Sequence, residues 1–199
     1  MLRKNWIIIP LILIGFYYNL WTIQNSDKEM IFQEFIYGSL ILVFLVFLLL
    51  SIFKDLKKYR KERIWLNFIP TIIGMLILFS FIIINLSLKL RDNSPVIIQA
   101  GYDGGYNGAW FDFRKDGTYK FVNSGGIGAD IFRGKYTIKD SIITLDKSNL
   151  EFLKTDKLAI RDIIHGSSSE GKIIYQIDNK HNIIDKDIYF FVNEYHVVE

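Results

Sequence analysis

LILVFLVFLLL, Leu40 to Leu50, is an unbroken apolar run with no polar face. A surface helix of a water-soluble protein keeps one polar stripe for solvent, so this run reads as a helix surrounded by apolar material. It lies within a longer apolar segment, residues 31–53, and has a similar segment on either side: WIIIPLILIGFYYNLWTI, residues 6–23, and residues 64–88. About 20 apolar residues cross a hydrocarbon core about 30 Å thick; the first segment only just reaches that length. Lipid offers backbone N–H and C=O groups no partner, so each segment must satisfy its own as a helix. The expected architecture is three transmembrane helices within residues 1–92, ahead of a second domain in residues 93–199.

The flanking charges give an orientation. Lys54, Lys57, Lys58, Arg60, Lys61 and Arg63 crowd KDLKKYRKER against only Asp55 and Glu62. Arg3 and Lys4 precede the first span, while QNSDKEM, after it, carries Asp27, Lys28 and Glu29. Basic flanks stay cytoplasmic. This places the N-terminus and the basic segment, read as a loop, inside, and the C-terminal domain outside. Trp6 and Trp65 then read as markers of the inner interface, and Trp21, Tyr17, Tyr18 and Tyr37 of the outer one; alternatively, such rings fill the bundle. A cleaved signal peptide is disfavoured, because Tyr-Tyr-Asn-Leu-Trp stands where a small-x-small cleavage site belongs.

The net charge of +3 is unevenly spread. Residues 1–92 hold 11 basic and 6 acidic side chains; residues 93–199 hold 13 and 15. A near-neutral second domain argues against nucleic-acid binding, which needs a concentrated basic surface. The chain has no cysteine, which removes disulfides, thiol catalysis and cysteine-type zinc sites.

Beyond the polar linker KLRDNSP, residues 89–95, the pattern changes to alternation with turn signals, as expected for a small antiparallel β barrel or sandwich. In AWFDFRKDGTYKFV, Ala109 to Val122, the period of two puts Phe111, Phe113, Tyr119 and Phe121 on one face. Asp116-Gly117 supplies the tight hairpin turn. GKYTIKDSIITLD, residues 134–146, repeats the alternation and turns near Lys139–Ser141. Further strands are expected at 96–100, 157–161, 172–178 and 187–194, with a single helical turn at Ser148–Lys154 and a polar loop, HGSSSEG, at 165–171.

WFDFRKDGTYKF followed by GKYTIKDSIITLD resembles the aromatic, DGTY-hairpin and G-x-Y-x-I-x-D-x-I-x-L pattern of lipocalin-like β domains in bacterial envelope proteins. The likeness spans Trp110 to Lys157. It implies a strand-and-turn framework that serves as a binding module, and it transfers no catalytic residue.

Catalytic and metal chemistry find little support. His165, His181 and His196 are too far apart for a local metal motif. DNKHNIIDKD, residues 178–187, lacks the central glycine and closing glutamate of a calcium loop. The spacing in Gly166–Gly171 does not make a nucleophile elbow. GYDGGYNG, 101–108, and GGIG, 125–128, lead into strands, whereas a phosphate loop leads into a helix. Tyr102, Tyr106 and Trp110 flank the first of these and read either as a recognition surface or as a plug over one end of the domain. Within the spans, Asn19, Asn67 and Asn85 suit interhelical hydrogen bonds, and Glu34 lies near an end. No metal or cofactor is expected.

These features point to a non-enzymatic inner-membrane protein, held in the lipid bilayer, whose extracytoplasmic domain binds a protein, peptide or envelope component. One concrete form is an immunity protein against a toxin acting at the membrane or in the periplasm. The alternatives are an envelope sensor acting through a membrane partner, and an enzyme using acidic residues on glycan or lipid.

Overall fold

The computed structural model describes residues 6–148, 150–151, 153–163 and 171–196. Arg3, Lys4, His165 and the loop as far as Glu170 lie outside the described residues. The chain divides into two units: Met1–Ser26 with Ile31–Arg91, and Asp27–Met30 with Asp92–Glu199.

The first unit holds helices α1 (Ile8–Gln24), α2 (Gln33–Glu62) and α3 (Ile69–Leu90), with a 3-10 turn at Trp65–Phe68 before α3. Helices α2 and α3 are long and apolar enough to cross a membrane; α1, with 17 residues, is shorter. One face of each turns inward. Leu11 and Tyr18 of α1 pack with Phe44 and Leu48 of α2 and Phe81 of α3, and Gly15, Thr22 and Gly74 are buried as well. The Tyr18 and Phe44 rings lie 4.2 and 4.9 Å from that of Phe81. Gly15 and Gly74 permit this approach: a Cβ on either would collide with Ile77 or Leu48.

The basic segment expected as a loop is instead the end of α2. Lys, Arg, Glu and Leu are good helix formers, and no Gly or Pro interrupts them. Arg60 and Lys61 in the last turn also suit the negative end of the helix dipole. The chain leaves the helix only at Arg63, in the left-handed region at φ 56°, where its amide donates to the Tyr59 carbonyl at 2.8 Å. Pro70 then sits in the first turn of α3, where its missing N–H costs nothing.

The second unit is an eight-stranded antiparallel closed barrel. Its strands are β2 (Val96–Gly104), β3 (Asn107–Arg114), β4 (Thr118–Gly125), β5 (Gly128–Lys139), β6 (Ile142–Leu145), β7 (Lys157–Ile163), β8 (Gly171–Gln176) and β9 (Tyr189–Tyr195). Neighbours in sequence pair throughout; β2–β9 and β5–β6 complete the ring. Alternation sends Ile98, Ala100, Phe111, Phe113, Tyr119, Phe121, Ile143, Leu158, Ile174 and Phe190 into one buried core. The interior is filled: Phe111 lies 4.5 to 5.1 Å from the rings of Phe113, Phe121 and Phe190.

The described residues of 148–154 do not form the helical turn expected. The Leu153 amide donates to Leu150 at 3.0 Å, Glu151 has φ 49°, and both leucines enter the barrel core. An isolated helical turn is unfavourable to nucleate, and burying two leucines wins. Asn123 donates to Glu151 at 2.8 Å and fixes this connection to β4.

A ninth strand, β1 (Lys28–Met30), comes from the segment between α1 and α2. It pairs antiparallel with β5, Lys28 opposite Asp130 and Met30 opposite Gly128. Strand β5 is 12 residues long and β6 only four, so β6 covers just Tyr136–Lys139 of its edge. β1 covers Gly128–Asp130, and the Ile131 amide donates to Asp27 at 2.8 Å. Between them the Lys147 ammonium donates to the Arg133 carbonyl at 2.6 Å and the Asp146 amide to the Lys135 carbonyl at 2.9 Å. That edge therefore has hydrogen-bond partners along its length, as buried backbone requires.

Candidate functional site

The DGTY and G-x-Y residues are framework. Gly117 takes φ 79° in the β3–β4 turn, and Asp116 accepts from the amide and hydroxyl of Thr118 at 3.1 and 2.7 Å. The Thr118 hydroxyl is the main reason that the Asp116 carboxyl lies below its ordinary pKa. Tyr119 lies over Gly134 on the neighbouring strand; a Cβ there would strike the Tyr119 ring and the Asp146 carboxylate. Tyr136 packs edge-on against Phe113 at 5.0 Å and donates its hydroxyl to the Arg114 carbonyl at 2.8 Å. Burial, and secondly the Asp116 charge, push the Tyr136 hydroxyl up to about 12. Burial and the Asp146 carboxylate raise that of Tyr119 as well.

The aromatic residues flanking the first glycine-rich segment take three different environments. Tyr102 is on the inward side of β2, packs against the core and meets Phe190 edge-on at 6.3 Å. Trp110, opposite Gly101 and Val122, is on the outward side of β3. Tyr106 is at the β2–β3 tip and is 83% exposed. The β6–β7 connection enters the core through Leu150 and Leu153.

The outer wall carries more aromatics. Tyr175 and Tyr189 are paired across β8 and β9, their rings 5.7 Å apart, and Phe191 meets Tyr189 at 4.9 Å. Inward and outward alternation separates this face from the filled interior. Tyr195, opposite the inward-facing Ile98, and Lys172, two positions from Ile174, lie on the inward side at the strand ends, where the Lys172 ammonium, bound to Asp162 at 2.6 Å, stands 5.0 Å over the Tyr195 ring.

A charged clamp lies at the edge of β5. Arg133 donates to both Asp92 oxygens, through Nη2 at 2.7 Å and Nε at 2.9 Å, and its other terminal nitrogen bonds Asp27. A planar guanidinium suits this forked recognition. Burial alone would raise the Asp92 pKa; the hydrogen bond and charge of Arg133, with Arg114 and Lys120, outweigh it and hold the carboxyl below its ordinary value. One arginine thus holds the residues preceding β1 and β2. Sequence reading missed this clamp, because the partners are 106 and 41 positions away.

The helices contain a second missed cluster. Asp55, buried in α2, accepts from the Thr71 hydroxyl and amide at 2.8 and 3.2 Å, beside the Ser51 hydroxyl at 3.4 Å. A carboxylate on the Thr71 amide, in the first turn of α3, suits that helix's positive end. The asparagines do bond between helices: Asn19 donates to Ser80 at 2.7 Å and Asn85 to the Tyr18 hydroxyl at 3.1 Å. Asn67 donates to Glu62 at 3.2 Å.

His181 sits at φ 65° in a turn organised by Asp178, which accepts from the Asn182 side chain and from the Lys180 and Asn182 amides. His196 stands apart, 3.8 Å from Glu194. Among the described residues no group of three or more His, Asp and Glu side chains is arranged to hold a metal ion. No protein-family model, curated protein or solved structure matches the chain.

Proposed function

We propose that the chain is a non-enzymatic inner-membrane protein whose barrel, held outside the cytoplasm, binds a protein, peptide or envelope component on its outer surface. The filled interior carries this reading. Ligand-binding barrels keep a cavity, whereas here the inward positions are occupied by packed rings. Recognition then falls to the outer wall, where Trp110, Tyr175, Tyr189 and Phe191 offer the aromatic surface that binding faces favour. The exposed apolar surfaces of α2 and α3 support bilayer spanning. Lys54, Lys57, Lys58, Arg60, Lys61 and Arg63, gathered at one end of α2, support a cytoplasmic position for that end. In its most specific form the protein is an immunity protein that intercepts a toxin at the periplasmic face.

The absence of native cysteine permits a direct test. In intact spheroplasts a membrane-impermeant maleimide is expected to label Lys139→Cys, in the barrel, and to spare Lys57→Cys, at the end of α2. The reverse pattern refutes the orientation. Toxin-exposed cells are expected to survive only when they express the chain; a lack of protection dismisses the immunity form.

The sensor reading has one observation in its favour. β1 and the Arg133 clamp build the segment between two helices into the barrel, giving a bound ligand a route to act on the chain leading into the membrane. Ligand-dependent crosslinking of a partner at the α2–α3 turn would support it.

A further inference from the structure

Strands β2–β3 and β4–β5 end in adjacent tips whose composition differs from that of the other turns. Gly104–Gly108 and Val122–Ala129 contain no charged residue. Both carry a strongly exposed apolar or aromatic residue: Tyr106, 83% exposed, and Ile127, 77% exposed. The tips are contiguous. Asn107 pairs with Gly125, and a Cβ on Gly126 would lie 3.0 Å from the Tyr106 ring, so that ring rests on bare backbone. The turns at the opposite end, Lys115–Gly117 and Lys139–Ser141, carry charge, as solvated turns do.

β1 lies beside this apolar tip and is followed in the chain by α2. Met30, half exposed, pairs with Gly128, next to Ile127. Three residues later α2 begins at Gln33, through Ile31 and Phe32. Three residues of chain reach at most about 11 Å.

We infer that the Tyr106–Ile127 tip enters the headgroup and upper acyl region of the bilayer and seats the barrel on the membrane. Tyrosine favours that level, with its ring in the apolar zone and its hydroxyl wet, and isoleucine adds apolar area to bury. Asp103, Glu29 and Asp130, at the margin of the tip, remain among the headgroups. The inference rests on the reading that α2 crosses the bilayer with its N-terminal end on the barrel side.

The experiment uses the full chain in phosphatidylethanolamine–phosphatidylglycerol vesicles, with a nitrobenzoxadiazole label on one introduced cysteine. Spin-labelled lipids act as quencher. The Ile127→Cys label is expected to emit to the blue of the Lys139→Cys label and to be quenched about twofold or more, consistent with a site about 5–10 Å deep. The Leu45→Cys label, in the middle of α2, separates the premise from the proposal. If it is quenched while Ile127→Cys is as wet as Lys139→Cys, the tip proposal alone fails. If it too is unquenched, the spanning reading fails and the tip proposal with it. A blue-shifted Ile127→Cys label that lipid quencher does not reach means that protein covers the tip, and overturns the assignment to lipid.

Discussion

Phe111, Phe113 and Phe121 have no solvent exposure inside the barrel, whereas Phe16, Phe35 and Phe53 on the helices are 64, 76 and 68% exposed. The polar residues follow the opposite pattern. In the helical unit Asn19, Ser51, Asp55, Thr71 and Asn85 turn inward to bond one another or a neighbour. In the barrel, Lys120, Lys135 and Thr137 alternate outward between buried rings. The same residue types are sorted in two senses along one chain. A closed barrel excludes water by turning every second side chain in. Helices that cross a bilayer, as proposed for α2 and α3, would gain nothing by hiding apolar side chains and would use their contacts for small residues and hydrogen bonds.

That contrast breaks most sharply with a paired substitution. Phe111→Ala is expected to lower barrel stability by about 3–5 kcal/mol, and Phe53→Ala to change that of the helical unit by less than about 0.5 kcal/mol. Denaturant unfolding followed by hydrogen exchange at β3 amides reads the first, and at α2 amides the second. Equal effects would mean that the helical phenylalanines are packed after all. Gly134→Val tests the barrel from the overfilled side. The added side chain must displace Tyr119 or Asp146, at a cost of about 1–3 kcal/mol or more; unchanged thermal unfolding would show that the Tyr119 ring yields freely.

Smaller effects are expected where the two regions are joined in sequence. Arg133→Ala should cost about 1 kcal/mol, since the pairs are partly exposed. Its clearer readout is faster exchange at the amides of 28–30, with β3 protection unchanged. The clamp also has a pH signature. The folded Asp92 pKa lies below its unfolded value near 3.8, so its stabilisation is present above about pH 4 and is lost as pH falls through the lower folded value. Acid should therefore loosen the chain at Asp92 before the barrel unfolds, and Arg133→Ala should abolish that early step.

Tyr136→Phe is the mildest change, about 1 kcal/mol for one hydrogen bond. Because the folded Tyr136 pKa is raised, its contribution is intact below about pH 10 and is lost as pH climbs to about 12. Alkaline unfolding should become shallower in the variant.

What the sequence made legible follows from which forces are local. Alternation and Asp116-Gly117 located β3 and β4, because side-chain period and turn chemistry act within a few residues. The continuous run from Leu40 disclosed α2, yet its end was missed: a charged, helix-forming segment looks like a loop when only hydrophobicity is followed. Ser148–Lys154 looked like a single helical turn, while the destination of Leu150 and Leu153 was a barrel core that no local pattern reveals. β1 has three residues and a partner a hundred positions away, and Arg133 looks like any outward-facing charge on an alternating strand. As for the candidate surface, Tyr102, Tyr106 and Trp110 stood out as aromatics near glycines, but their separate directions depended on strand register.

One practical lesson concerns attempts to obtain the barrel by itself. A fragment beginning at Asp92 would lack Asp27–Met30 and leave the upper β5 seam unzipped, with bare amides and carbonyls free to recruit a strand from another molecule. Such a fragment should self-associate, and a short synthetic peptide matching the missing rungs should dissolve the clumps. The cell does not meet this hazard: the ribosome makes the missing piece before any other strand of the barrel.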